Sequence, residues 1–321
     1  RMTRERITLH NFEYEKLASN QGDSQVLWKN RKSAQYKCSH IFPYFWYVIP
    51  QAYVYTCTQR KIAYMTIIAG PCVIESPALL REVAGELARI KKELNVEIYF
   101  KASFDKANRT SLSSFRGPGI EEGITMLEAI REEFGLPITT DFHTPEQIAS
   151  HGHRVDIIQI PAFLCRQTDM LIEAGKTGKI VNIKKAQFLN AEKMQFAVDK
   201  VKSTGNDQVW LTERGTLFGP SELVVDFRNI QKLAALTDHV VMDCTHSAQE
   251  TQSNEGTTGG NRAYVPFFAK TAKLWGANAF FLETHPNPAQ AKSDGANVLS
   301  LDLLEGMLGR LTEIRKTINQ F

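Results

Sequence analysis

Two periods alternate along most of this chain. From Met65 onward, short β-branched and apolar runs are followed by longer stretches in which apolar residues recur every three or four positions. The short runs predict strands over 66–71, 96–103, 137–142, 156–162, 180–187, 209–215, 239–247 and 279–285. The longer stretches predict helices over 77–94, 119–134, 145–150, 167–177, 190–203, 221–236, 261–276 and 301–319. In the first helix, Glu82, Glu86, Arg89 and Glu93 fall opposite Leu80, Val83, Leu87, Ile90 and Leu94, the division a surface helix requires. Regular alternation of strand and helix implies a parallel sheet. Eight such units in residues 65–321 match a closed (β/α)8 TIM barrel of about 250 residues. An open doubly wound sheet is the alternative, but no Gly-x-Gly-x-x-Gly follows the first strand.

The first 64 residues are of another kind. No helical or strand period persists through them, and they hold seven of the nine tyrosines but one of the 20 glycines. The aromatic run at 41–55 is shorter than the ~20 apolar residues of a membrane helix and is interrupted by Pro43 and Pro50. It also begins after 40 mostly polar residues, too late for a signal peptide. Residues 1–64 are therefore expected to be a poorly structured extension lying upstream of a natural start at Met65. An added binding or regulatory module is the alternative.

Charge reinforces that boundary. Residues 1–64 carry ten Lys and Arg against four Asp and Glu, a net of +6; residues 65–321 carry 28 against 31, a net of −3. The overall +3 is too balanced to argue for nucleic acid as a partner. Five widely spaced cysteines make no disulfide scaffold and fit a reducing, cytoplasmic setting.

The barrel reading makes a demand on the polar residues, because active sites of such barrels lie at the C-terminal strand ends. Cys72, Lys101, Asp141, His143, Gln159, Lys184, Lys185, Glu213, Arg214, Asp243, His246, Glu283 and His285 all fall there. Strand alternation turns half of such side chains toward the helices, so each alone is evenly balanced between a functional and a local role. Lys101, Lys106, Arg109, Lys184 and Arg214 would gather at one mouth and repel each other unless an anionic ligand balanced them. Cys72, His246 and Glu283 come from strands that closure makes neighbours, and Asp294 follows the last strand. A thiolate, an imidazole and two carboxylates suit Zn²⁺, Fe²⁺ or Mn²⁺. The pattern leaves equally open a buried, inert Cys72 and a His246 bonded within the rim. The Gly-rich stretch 254–261 falls where a lid would sit.

Several of these segments resemble one family. AGPCVIES (69–76), FKASFDKANRTS (100–111), SFRGPG (114–119), DIIQIPAFLCRQTD (156–169), VNIKKAQF (181–188), LTERGTLFG (211–219), DCTHSAQ (243–249) and ETHPNP (283–288) are similar to the 3-deoxy-D-manno-octulosonate 8-phosphate synthases. The resemblance runs through 65–321 in order and covers nothing in 1–64. It implies condensation of phosphoenolpyruvate with arabinose 5-phosphate and water, in the route to the lipopolysaccharide sugar Kdo. It implies that Lys101, Lys106, Lys184 and Arg214 hold phosphoenolpyruvate, with Asp141, Gln159 and Phe163 at the substrate site. Asn108, Arg109 and Thr110 would bind arabinose 5-phosphate, Arg109 and Thr110 reaching a neighbouring subunit's site in a homotetramer. Cys72, His246, Glu283 and Asp294 match a divalent metal site. Cys72 stands where the metal-independent class has Asn. Cys72, Lys106, His246 and Asp294 form the implied catalytic set.

The related 3-deoxy-arabino-heptulosonate 7-phosphate synthases share the Gly-Pro-Cys start, but carry a Lys-Pro-Arg-Thr-like motif where this chain has Lys106-Ala107-Asn108-Arg109. A barrel that binds sugar phosphate without turnover is a third reading, against which the intact Lys106, Arg109, Lys184, Arg214 and His246 argue. Four departures from the family pattern bear on the loops. Thr110 replaces Ser, Ala186 replaces Gly, Pro220-Ser221 replaces a Tyr-Asn pair, and 248–260 lacks the usual continuation.

Overall fold

The structure is a computed structural model that describes the backbone of residues 3–9, 12–18, 24–29, 65–108, 111–217, 223–250 and 259–318, with side chains over the same ranges from 65 to 314. The chain divides into two units, 1–59 and 60–321.

In the first unit, strands Thr3–Leu9, Phe12–Ala18 and Ser24–Lys29 form an antiparallel three-stranded sheet. The period reading found no strand here because these stretches, such as TRERITL and FEYEKLA, are rich in charged residues and hold few of the β-branched and apolar runs that marked the barrel strands. The aromatic run 41–55 lies outside the described residues.

The second unit is the expected (β/α)8 barrel. Its strands are β1 (Thr66–Gly70), β2 (Glu97–Lys101), β3 (Ile138–Asp141), β4 (Ile157–Ile160), β5 (Ile180–Lys184), β6 (Val209–Glu213), β7 (His239–Asp243) and β8 (Ala279–His285). Each pairs in parallel with the next, and β8 returns to β1 with Phe281 opposite Ile68 and Glu283 opposite Gly70. The surrounding helices are α1 (Pro77–Leu94), α2 (Ile120–Phe134), α3 (Pro145–His151), α4 (Thr168–Lys176), α5 (Gln195–Lys202), α6 (Arg228–Ala234), α7 (Val265–Leu274) and α8 (Leu301–Ile318). All eight strands and eight helices fall within the predicted ranges or within a residue of them.

Local chemistry sets several ends. Ser76 caps α1 by accepting from the Leu79 N–H, Pro77 opens it, and Asn95 ends it in the left-handed region. Thr144 and Pro145 start α3 in the same way. The helix predicted from 221 begins instead at Arg228. Leu223–Val224 pairs with Thr216–Leu217 as a short antiparallel ladder, and the Asp226 carboxylate accepts from the Arg228 N–H. The strands also stop short of several predicted ends: Ser103, Gln187, Gly215 and Ser247 belong to the rim loops.

Alternation along the strands divides the core. Ile67, Ala69, Ile98, Phe100, Val181, Ile183 and Leu211 face the helix layer, where they join Leu80, Val83, Leu87 and Ile90 of α1. Ile68, Tyr99, Ile157, Trp210, Val241, Ala279 and Phe281 fill the barrel interior. Residues of this second parity nearer the C-terminal ends are polar, and they build the site.

Candidate active site

The same alternation separates neighbours that the sequence left together. Lys184 and Arg214 turn inward and line a cavity of about 900 Å³ at the C-terminal mouth. Lys185 and Glu213 turn outward and pair with each other at 3.5 Å, fully buried. The Lys185 ammonium also donates to the carbonyls of Ala186, Leu189 and Gly215 and to the Thr216 hydroxyl. It thus ties two rim loops together rather than meeting a substrate.

A hydrogen-bond belt lies beneath the mouth. Ser103 and the Gln159 amide nitrogen both donate to Asp141. The Asn182 amide donates to Gln159 Oε1 (3.2 Å), and Thr212 donates to Asn182 Oδ1 (2.6 Å). This belt crosses from the end of β2 to β6 and fixes the rotamer of each member. Gln159, expected at the substrate site, is a member of the belt and does not line the cavity.

The cations sit above the belt, and carboxylates already meet most of them. Lys101 Nζ lies 2.6 Å from Glu283 Oε1 and donates to the Cys72 carbonyl (2.9 Å). Lys106 Nζ is 4.0 Å from the same Glu283 oxygen. Lys184 Nζ donates to Asp243 Oδ2 (2.8 Å) and lies 3.7 Å from the Phe281 ring centroid. The uncompensated cluster expected from sequence is therefore a paired network. Arg214 is the exception: no carboxylate lies within ion-pair distance among the described residues, and its Nη1 has no partner among them. Burial pulls the Arg214 guanidinium below its ordinary range.

The carboxylates show the reciprocal effect. Burial would raise Asp141, but Lys101, Lys106 and Lys184 outweigh it and hold its carboxyl well below the usual range. Burial would likewise raise Asp243, which His246 and Lys184 pull well down. Glu283 is lowered to about 2, burial being offset by Lys101, His246 and Lys106. Burial works against the charge on Lys106, but the Cys72 sulfur and the carboxylates of Glu283, Asp141 and Asp294 more than offset it and hold it above the lysine range.

Beside this network, the ligand atoms of Cys72, Glu283 and Asp294 lie within 4.8 Å of one another. Cys72 Sγ is 3.0 Å from Ser293 Oγ and 3.3 Å from Asp294 Oδ2. The turn that delivers Cys72 depends on Gly70, at φ +152°; a Cβ there would stand 2.1 Å from the Lys101 carbonyl oxygen. His246, the fourth expected ligand, is adjacent to the group. Its Nδ1 is 2.8 Å from Asp243 Oδ2 and its Nε2 is 3.7 Å from Glu283 Oε1. A carboxylate on one ring nitrogen orients the other toward a metal, the usual support for a histidine ligand. Glu283 Oε2 is buried without a hydrogen-bond partner among the described residues. An orphaned carboxylate oxygen beside a thiol and a second carboxylate is compatible with a divalent metal. Burial and then Glu283 push the Cys72 thiol up, so taking up an ion there releases its proton.

The remaining expectations divide. Asn108, Phe163 and His143 line the cavity mouth. Arg109 and Thr110 lie outside the described residues, as do 254–258 of the expected lid. Sequence reasoning missed two residues of the site. Asp243 was seen at the rim but given no role, although its three-residue spacing from His246 on the inward parity marks it as the histidine's partner. Gln249, which bonds both Arg214 and Asp294, carried no signal.

Paired cations, one arginine with an open donor and a metal-type donor set at a barrel mouth define an anion-handling (β/α)8-barrel enzyme. The profile of the DAHP synthetase I family matches residues 60–320, and the chain belongs to that family. It is 47% identical over 252 residues to the 2-dehydro-3-deoxyphosphooctonate aldolase of Desulfatibacillum aliphaticivorans, covering 78% of this chain and 92% of that protein. It is 48% identical over 250 residues to the enzyme of the same name from Syntrophotalea carbinolica, covering 78% and 90%. It is 44% identical over 256 residues to that of Protochlamydia amoebophila, covering 80% and 93%. The resemblance read from the motifs is thereby borne out. Among the described residues, no helix is long and apolar enough to cross a membrane.

Proposed function

We propose that the chain condenses phosphoenolpyruvate with D-arabinose 5-phosphate and water, giving 3-deoxy-D-manno-octulosonate 8-phosphate and inorganic phosphate. The observation that carries this reading is the cavity in which Lys101, Lys106, Lys184 and Arg214 converge beside the Cys72, Glu283 and Asp294 cluster. The relatives named 2-dehydro-3-deoxyphosphooctonate aldolase support the product, and the motif resemblance supplies the two substrates.

The residues have separable tasks. Arg214, with its open Nη1, and Lys184 grip the phosphate and carboxylate of phosphoenolpyruvate by charge-assisted hydrogen bonds. Lys106 stays protonated in its anionic surroundings and stabilises negative charge growing on the sugar oxygen. C3 of the enol bonds to the aldehyde carbon of the pentose, whose oxygen takes up a proton. Water adds its oxygen to C2 and gives up a proton, and phosphate then leaves by cleavage of its C2–O bond. Phe281 and the belt below exclude bulk water from the floor of the site. Cys72, His246, Glu283 and Asp294 would hold a divalent ion such as Zn²⁺, Fe²⁺ or Mn²⁺. When bound, it supplies a Lewis acid for an aldehyde or water oxygen. Asn108, Arg109 and Thr110 belong to the pentose phosphate end, Arg109 and Thr110 serving a neighbouring subunit of a cytoplasmic homotetramer.

Incubation of metal-supplied protein with both substrates should release phosphate and the octulosonate in equal amounts. Absence of release overturns the reading. Preference for erythrose 4-phosphate would assign the heptulosonate reaction instead. Binding of both substrates without turnover would leave the non-catalytic barrel.

A further inference from the structure

We propose that Gln249 is a positioning residue that couples the anion subsite at Arg214 to the metal cup at Asp294. The proposal rests on the reading of this cavity as a phosphoenolpyruvate and metal site.

The two ends of the Gln249 amide are engaged differently. Oε1 accepts from Arg214 Nη2 at 2.6 Å, and Nε2 donates to Asp294 Oδ1 at 2.9 Å. A guanidinium can only donate and a carboxylate only accept, so the reverse orientation would set donor against donor and acceptor against acceptor. One orientation therefore satisfies both neighbours. The amide is also a neutral spacer between a buried cation and a half-buried anion. It leaves Arg214 Nη1 without a protein partner among the described residues, and it leaves Asp294 Oδ2 facing Cys72 Sγ and Ser293 Oγ at 3.3 and 3.0 Å.

The backbone makes this spacer stiff. Gln249 and Glu250 pair with Gly260 and Gly259. Gly260 is at φ +157°, and a Cβ there would fall 1.7 Å from Asn297 Oδ1, so only glycine lets the ladder press against the segment carrying Asp294. Arg262 donates to that segment twice, from its backbone N–H to the Ala296 carbonyl (3.2 Å) and from Nη2 to the Gly295 carbonyl (2.7 Å). Gln249 and Asp294 thus stand on segments tied to each other. A ligand that draws Arg214 toward itself changes the hydrogen bond at one end of the amide, and Asp294 feels it at the other. By linkage, an ion that draws on Asp294 changes the affinity of the anion subsite by the same factor.

The test is phosphoenolpyruvate binding to metal-loaded and chelator-stripped protein, measured by calorimetry with metal content checked by elemental analysis. In the parent protein the two dissociation constants should differ by at least about fivefold. In Gln249→Met, similar in length but without donor or acceptor, the ratio should fall to within about twofold of unity, with both sites still able to fill. Gln249→Glu should weaken binding of phosphoenolpyruvate to the stripped protein by about fivefold or more, because the new carboxylate neutralises Arg214. It serves if the first variant does not fold. A parent ratio of unity, or an unchanged ratio in Gln249→Met, overturns the coupling and leaves the proposed reaction standing. Failure of the parent to bind either metal or phosphoenolpyruvate overturns both.

Discussion

Lys101 holds one oxygen of Glu283 and leaves the other free. The ammonium lies 2.6 Å from Oε1, while Oε2 has no hydrogen-bond partner among the described residues. The carboxylate is thereby divided between the cation network and the cluster it forms with Cys72 and Asp294. Glu283→Gln should affect both at once: Lys101 is left with its charge buried and unpaired, costing about 3 kcal/mol or more of stability. Bound metal should fall below stoichiometric. Thermal unfolding and elemental analysis read the two effects, and full metal occupancy in this variant would show that the free oxygen is not a ligand.

Cys72 offers a cleaner separation. Its sulfur touches Ser293 and Asp294 and supports the charge on Lys106. Cys72→Ala should lose bound metal and turnover while costing roughly 1 kcal/mol of stability, since the lost volume is small. Full activity of the parent after stringent chelation would contradict the metal reading.

The acid limb of stability should depend on Asp141. Its folded-state carboxyl is held below the ordinary 3.8 by three lysines that outweigh burial. A depressed folded value means that the unfolded chain binds the proton first. The contribution is complete above about pH 4 and is lost as the pH falls further. Urea midpoints at pH 7 and pH 3 should therefore converge more in Asp141→Asn than in the parent. Equal pH dependence in the two proteins would remove Asp141 from the account.

Lys184 and Lys185 should part company under substitution. Lys184→Met removes a cation that lines the cavity and should lower kcat/KM by two orders of magnitude or more, about 2.7 kcal/mol. Lys185→Met strands Glu213 in the helix layer and should cost about 3–5 kcal/mol of stability. Near-parental turnover in the first, or an unchanged melting temperature in the second, would reverse the assignment.

A shortened chain beginning at Met65 should be soluble and catalyse the proposed reaction at the full chain's rate. Its failure to fold or to assemble would make 1–64 part of the enzyme.

The order and kind of the barrel elements were legible because periodicity is a local property: α1 shows its buried stripe, and β5 its alternation, within a single turn or pleat. The site was legible only as types of residue. Barrel closure put Cys72, Glu283 and Asp294 together, and parity separated Lys184 from Lys185. Pairing was beyond reach, since the sequence shows five cations at the mouth but not that Glu283 and Asp243 are already bound to two of them. Gln249 was invisible for the same reason. A glutamine announces no chemistry until the residues at its two ends are known.

The closing of β8 onto β1 also sets when the Cys72, Glu283 and Asp294 cluster can exist during synthesis. Cys72 and Asp294 are separated by 222 positions, so a ribosome emits the thiol long before its partners. A nascent chain with seven strands displays Cys72 without Glu283 and Asp294, the two carboxylates of its cluster. Such distant pairing is among the last contacts a chain makes. The Cys72, Glu283 and Asp294 cluster is thus a mark of a finished barrel, and a chain truncated before Asp294 lacks it however well its other strands fold.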